Sequence, residues 1–249
     1  MQLTLLHGWA MHSGIWDPLI PALQPHASIK ALDLPGHGHN PDTPDDYNLA
    51  SVADTLQAVL PKQSVVVGWS MGGMVAIELA LQQPQKVQAL ILINSTPRFA
   101  NTDDWDKGVP PAVLEGFATE LESGVERTLA RFLSLQLGKL ASAEQLRQLR
   151  QLVKSRPAPD IAVMRKGLNI LATADLRSRV AQLNLPVLIV QGQRDRLTPA
   201  AAAHWLAEQI PDAGKHVIAG AGHAPFLSHT DEVASAMIEF LQSINIKEQ

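Results

Sequence analysis

Residues 64–73 read Ser64-Val65-Val66-Val67-Gly68-Trp69-Ser70-Met71-Gly72-Gly73. The run Ser64–Val67 is short and continuously apolar, the pattern of a strand covered on both faces. From Met71 to Gln83 the apolar spacing turns helical. Between the two, Ser70 sits in a G-x-S-x-G arrangement where a strand must turn sharply into a helix. Glycines on both sides let the two backbones crowd together, and the turn lifts the hydroxyl clear of the sheet edge. It also sets the serine at a helix N-terminus, where amides and the dipole favour developing negative charge. The competing reading is a glycine-rich turn with an incidental serine. A strand directly before and a helix directly after favour a nucleophile.

Working outward, three further apolar runs precede turn residues: Leu3–Leu6 before His7-Gly8-Trp9, Ala89–Ile93 before Asn94-Ser95-Thr96-Pro97, and Pro186–Val190 before Gly192. Helical segments are expected at Leu49–Leu60, Met71–Gln83 and Ala200–Gln209. Strand and helix in turn imply an open, mostly parallel α/β sheet flanked by helices. From about Phe99 to Val180 the strand signals stop. Leu114, Phe117, Leu121, Leu129, Phe132, Leu133, Leu146, Leu149 and Val153 recur at helical spacings there, punctuated by Pro110-Pro111 and Pro157-Ala158-Pro159. The expected division is therefore a core of residues 1–98 and 181–249 carrying an inserted helical lid, 99–180.

Composition sets the bounds. The 249 residues are 46% hydrophobic and 18% charged, enough for a substantial core and against disorder. A net charge of -4 gives no general pull toward nucleic acid or membranes, and neither is an expected partner. There is no cysteine, which excludes disulfides, thiolate metal sites and a cysteine nucleophile. The N-terminus lacks a basic stretch, an apolar run and a cleavage site, so no signal peptide is expected. No stretch approaches the roughly 18 apolar residues of a spanning helix. A cytoplasmic monomer is the expectation.

A serine hydroxyl needs a base to take its proton. Of nine histidines, His223 lies in the small-residue loop Gly220-Ala221-Gly222-His223-Ala224-Pro225-Phe226, after an expected last strand, His216–Ile218. His7, His37, His39 and His229 flank other expected active-site loops, whereas His12, His26, His204 and His216 read as residues without a role. The base needs an acid to fix its tautomer and stabilise the imidazolium. Asp195 follows the strand Pro186–Val190, while the rival Asp175 falls inside the helical insertion. The order Ser70, Asp195, His223 is the order of the α/β-hydrolase fold. Two backbone N–H groups are expected to form the oxyanion hole, from Met71 after the nucleophile and from Trp9 after the first strand. Asp42, Asp45 and Asp46, set among prolines, read as a solvated turn, and no metal is expected. Gly36-His37-Gly38 lacks the spacing of a phosphate loop.

The chain resembles the carboxylesterases that remove the methyl ester from pimeloyl-acyl-carrier protein methyl ester in biotin synthesis. The likeness lies in Leu5-Leu6-His7-Gly8-Trp9, Asp33-Leu34-Pro35-Gly36, Gly68-Trp69-Ser70-Met71-Gly72-Gly73, Arg131-Phe132-Leu133-Ser134-Leu135-Gln136 and Ala221-Gly222-His223-Ala224-Pro225-Phe226 with Ser228-His229. The Asp-Leu-Pro-Gly and G-x-S-x-G pieces specify only the α/β-hydrolase superfamily. The tryptophans, the Arg-Phe-Leu-Ser-Leu-Gln stretch and the His-Ala-Pro-Phe loop are more particular. The resemblance implies a triad of Ser70, Asp195 and His223, no cofactor, and an acyl chain near Trp9 and Phe132. Substrate contacts are expected from Trp9, Ser70, Met71, Phe132, Leu133, Ser134, Leu135, Gln136 and His223. Two departures stand out. The chain begins almost on the strand that carries His7-Gly8-Trp9, without the one or two strands the family usually has before it, so either a sheet smaller at one edge or a misassigned start is expected. Position 39 is histidine, followed by Asn40, where many relatives have arginine and serine.

Residues 127–166 add a hint from charge. Nine Lys or Arg (127, 131, 139, 147, 150, 154, 156, 165, 166) stand against Glu144 and Asp160, a local +7 that leaves -11 for the rest. Arg147, Arg150 and Lys154 share a helical face opposite Leu146, Leu149 and Val153. One reading is an ordinary solvated face. The other is a docking patch, with Arg127, Arg131, Arg147 and Arg150, for an acidic acyl-carrier protein. Two rival functions remain open: an esterase, lipase-like enzyme or carbon–carbon hydrolase acting on a free small molecule, and an idle hydrolase scaffold that binds a ligand. A haloalkane dehalogenase is disfavoured, since that chemistry uses an aspartate at position 70.

Overall fold

The computed structural model describes residues 1–137 and 143–247. Six strands form one sheet: β1 (Gln2–Leu6), β2 (Ser28–Leu32), β3 (Ser64–Trp69), β4 (Val87–Ile93), β5 (Val187–Gly192) and β6 (Ala213–Ile218). Their order is β2-β1-β3-β4-β5-β6, and every neighbouring pair is parallel. Parallel strands need crossovers, and helices supply them: α1 (Ile20–Leu23), α2 (Leu49–Leu56), α3 (Met71–Gln82), α4 (Pro111–Ser123), α5 (Val125–Leu137), α6 (Ala143–Val153), α7 (Ile161–Thr173), α8 (Ala200–Gln209), α9 (Pro225–Ser228) and α10 (Thr230–Lys247). This is the mostly parallel, helix-flanked sheet that the alternating runs predict.

Burial explains which strands sit in the middle. β3 and β5 are buried along their whole length, and Val65, Val66 and Val67 are inaccessible to solvent. The edge strands β2 and β6 are exposed or only half-covered along most of their length. β2 lacks an expected counterpart because Ser28 and Lys30 interrupt its apolar run on the solvent side. α2 stops at Leu56, four residues short of the expected end, and the remaining residues close in turns before Pro61.

The register matters for function. Leu6 pairs with Gly68, Trp69 with Ile93, Ile93 with Val190, and Gly192 with Ile218. The C-terminal ends of five strands therefore come level, so their following loops meet above one edge of the sheet. Ligands in open α/β sheets bind outside these ends. Between β4 and β5 the chain forms α4–α7, which turn Leu114, Phe117, Leu121, Phe132, Leu133, Leu149, Leu168 and Leu171 inward.

Candidate active site

Ser70 follows β3 and begins α3 with φ +57° and ψ -122°, a strained conformation for a residue with a side chain. The surroundings enforce it. Ser70 N–H donates to the Ile93 carbonyl at 3.1 Å, and Ser95 Oγ donates to the Ser70 carbonyl at 2.8 Å. A Cβ on Gly68 would lie 2.4 Å from the Gly72 carbonyl oxygen, and one on Gly72 would lie 2.4 Å from the His7 carbonyl oxygen. Only glycine lets β3, α3 and the loop after β1 approach this closely.

Asp195 lies on the loop after β5, and its carboxylate is fully buried. Oδ1 accepts from Leu197 N–H at 2.7 Å and Thr198 N–H at 3.1 Å. Oδ2 accepts from Asn94 Nδ2 at 2.6 Å, from the Thr198 hydroxyl, and from His223 Nδ1 at 2.7 Å. Both oxygens of the carboxylate act as acceptors in these contacts. Because it only accepts, His223 carries its hydrogen on Nδ1, which leaves Nε2 with a free lone pair. Nε2 is buried and has no hydrogen-bond partner among the described residues. The His223 loop is itself fixed: its carbonyl accepts from Trp69 Nε1 at 2.8 Å, and Ala224 N–H donates to the Gln136 carbonyl at 2.9 Å.

The loop after β1 passes beside the serine, since a Cβ on Gly8 would stand 3.1 Å from Ser70 Cβ. Trp9 follows it, and Met71 opens α3, whose first amides have no partner within the helix. Trp9 is anchored by Nε1 donating to the Met164 carbonyl at 2.8 Å. Its ring meets Phe132 edge-on at 4.8 Å and Phe117 at 6.0 Å. Ser70, Trp9, Phe99, Leu114, Phe117, Phe132, Leu168 and Leu197 line one apolar cavity of about 10 Å³, roughly room for a single water. Leu133, Ser134, Leu135 and Gln136 do not line it. Ser134 is exposed, with its hydroxyl on the Arg131 carbonyl at 2.6 Å. Gln136 is buried, and its Nε2 donates to the Phe132 carbonyl. Of the other walls, Phe117 had helical periodicity as its only sequence signal, and Phe99, Leu168 and Leu197 had none.

The other histidines separate cleanly. His7 accepts from Leu34 N–H at Nε2 and donates from Nδ1 to the Gly8 carbonyl, so it is neutral and structural. Burial, with His37 close by, drives its pKa down to about 3. Burial likewise takes His37 to about 4. The rival Asp175 is occupied by Arg98 at 2.6 Å and Arg177 at 2.7 Å, pairs that hold its pKa down at about 2. Among the described residues, no three His, Asp or Glu side chains are grouped to hold a metal ion.

Arg127, Arg131, Arg147 and Arg150 are all exposed. Two are partly neutralised: Arg131 pairs with Glu120 across from α4 and lies over Phe117, and Arg147 pairs with Glu144 at 2.7 Å. Arg165 similarly meets Glu122 at 2.7 Å. Lys139 lies outside the described residues. Among these residues no helix is long and apolar enough to cross a membrane.

The chain is similar to known proteins in both sequence and fold. The family model for the alpha/beta hydrolase fold matches residues 3–230. The chain is 41% identical over 245 residues to the pimeloyl-[acyl-carrier protein] methyl ester esterase of Yersinia pseudotuberculosis serotype O:1b, covering 97% of this chain and 93% of the relative. It is 40% identical to the protein of that name from Xylella fastidiosa, over 97% and 95%. Among solved structures it is similar to the esterase EaEST from Exiguobacterium antarcticum, with a TM-score of 0.87, 20% identity and coverage of 97% and 92%.

Proposed function

The chain belongs to the α/β-hydrolase family, among its pimeloyl-[acyl-carrier protein] methyl ester esterases, and on that premise we propose that it is a serine carboxylesterase that hydrolyses the methyl ester of carrier-bound pimelate in biotin synthesis. Kinship along almost the whole chain carries the substrate assignment. Ser70 Oγ attacks the ester carbonyl carbon while its proton passes to His223 Nε2. Asp195 keeps the imidazole in the Nδ1–H tautomer and stabilises the imidazolium. The Trp9 and Met71 N–H groups receive the oxyanion, each worth about 3–4 kcal/mol. Methanol leaves with the proton from His223. Water, deprotonated by the same nitrogen, then attacks the acyl-enzyme; His223 returns that proton to Ser70 Oγ as the acyl–oxygen bond breaks, and the freed carboxyl group stays on the carrier.

Residues 99–180 act in this reading as a lid. A cavity of about 10 Å³ does not hold an acyl chain, so side chains of α4, α5 or α7 must shift as substrate enters. Arg127, Arg131, Arg147 and Arg150 dock the acidic carrier, with Glu120 and Glu144 yielding their partners to it. The protein works as a monomer: among the described residues the large hydrophobics left exposed are Val59 and Val217, too scattered to form an interface.

Two substrates separate this reading from an esterase of free small molecules. Reversing the four arginines to glutamate should lower kcat/KM on the carrier-bound methyl ester, most strongly at low salt. Each exposed pair is worth only about 0–1 kcal/mol, so the reversals are made together. A small free methyl ester should be hydrolysed as before. Equal losses on both substrates would mean a damaged lid, and no loss on either would return the patch to a solvated face.

A further inference from the structure

We propose that Asn94 is a positioning residue that locks the acid and the base to one another; this rests on the assignment of Ser70, Asp195 and His223 above. Asn94 is the first residue after β4, fully buried, with backbone φ +43°, a conformation that asparagine tolerates better than most residues. Its amide joins two other loops. Nδ2 donates to Asp195 Oδ2 at 2.6 Å and to the Gly222 carbonyl at 2.9 Å, while Oδ1 accepts from Gly192 N–H at 2.7 Å. Asp195 Oδ2 is also the oxygen that faces His223 Nδ1 at 2.7 Å, and Gly222 immediately precedes His223. One side chain thus ties the end of β5, the acid and the base loop to the end of β4.

The chemistry of the amide matters as well as its shape. Gly192 N–H requires an acceptor, and the carboxylate and the Gly222 carbonyl require donors. An amide meets both demands without a charge. An apolar side chain would orphan two buried backbone groups. A carboxylate would supply the acceptor but would face Asp195 with like charge unless it held a proton. The titratable groups meeting here are Asp195 and His223. Arg194 and Arg196 flank Asp195 but are exposed, and Arg98, beyond β4, is turned to Asp175 at 2.6 Å.

Two variants test this on a small p-nitrophenyl ester across a pH range, with kcat and KM resolved. Asn94→Gly keeps the backbone conformation and removes all three bonds. It should lower kcat at least about tenfold, as expected for misplaced catalytic groups, with KM little changed. Asn94→Asp is isosteric, and two carboxylates this close share a proton. While that proton is present it replaces the donor to Asp195 Oδ2, though not the one to the Gly222 carbonyl, so the variant should come closest to the parent rate in mildly acidic solution without reaching it. As pH rises and the proton leaves, activity should fall, an alkaline limb that the parent lacks. A residue serving only packing would not create that limb. If Asn94→Gly does not fold, the pH profile of Asn94→Asp decides alone. Parent-like kcat and pH profiles in the folded variants would overturn the proposal. Labelling of the parent by a fluorophosphonate keeps the two failures apart. An unlabelled Ser70 would bring down the catalytic assignment, whereas a labelled Ser70 with parent-like variants would bring down only the role of Asn94.

Discussion

Alanine at two glycines should move stability in opposite directions. At Gly68 the added Cβ would meet the Gly72 carbonyl oxygen at 2.4 Å, Gly73 Cα at 2.5 Å and the Gly72 carbonyl carbon at 2.6 Å. All three belong to the backbone of the first turn of α3, so no side chain can swing aside and the strand and helix must separate. Overpacking that side chains absorb costs about 1–3 kcal/mol. A backbone clash belongs at or above the top of that range, and about 3 kcal/mol is a large share of a stability of roughly 5–15 kcal/mol. The separation also displaces Ser70 and the Met71 N–H, and a shift of about 1 Å at reacting groups costs on the order of a hundredfold in rate. At Gly116, inside α4, an added Cβ meets nothing within 4 Å, and alanine should stabilise the helix by about 0.5–1 kcal/mol. Urea unfolding followed by tryptophan fluorescence, with ester turnover on the same samples, measures both effects. A Gly68→Ala protein with parental midpoint and rate would refute the close-packed turn from which the site is built.

Acidification should destabilise the fold before the carboxylates titrate. His7 and His37 are neutral when folded, with pKa values near 3 and 4, but bind protons at about 6.5 when unfolded. Their contribution is therefore complete above pH 6.5 and is lost as pH falls toward 4, by about 1.4 kcal/mol per unit for each histidine. Denaturant midpoints at pH 7 and pH 5 measure the loss, and His37→Asn, which keeps a donor for the Pro35 carbonyl, should show about half of it. Phe132→Ala removes a ring packed on Trp9 and Phe117 at 4.8 and 5.7 Å. It should cost about 3 kcal/mol in thermal or urea unfolding and raise KM more for longer acyl chains than for acetate.

The middle of the sheet was legible because buried parallel strands leave a plain mark: Ser64–Val67 and Pro186–Val190 are near-continuous apolar runs that lead into glycine-containing turns. β2 was not, since an edge strand half in water carries Lys30 and a mixed pattern. The Asp195–His223 contact was anticipated from chain order, as each follows a strand of one parallel sheet. Asn94 carries no such mark, because Asn94-Ser95-Thr96-Pro97 reads locally as a turn. Its three bonds exist only once residues 98, 101 and 128 positions further along the chain are folded against it. The cavity walls were hidden for the same reason: helical periodicity marks Leu114 and Phe117 as core without saying which space they enclose. Charge counted along the chain overstated the basic patch, because Glu120 and Glu122 lie outside the counted segment and fold across onto Arg131 and Arg165.

The most direct test is to present the carrier-bound pimeloyl methyl ester to the parent protein and to Ser70→Ala, and to follow the mass of the carrier and the methanol released. The parent should convert ester to carrier-bound acid with one methanol for each ester lost, while Ser70→Ala, with an unchanged circular dichroism spectrum, should leave the ester intact. Hydrolysis by Ser70→Ala at the parent's rate, or a parent that hydrolyses small esters but leaves this one untouched, would contradict the account.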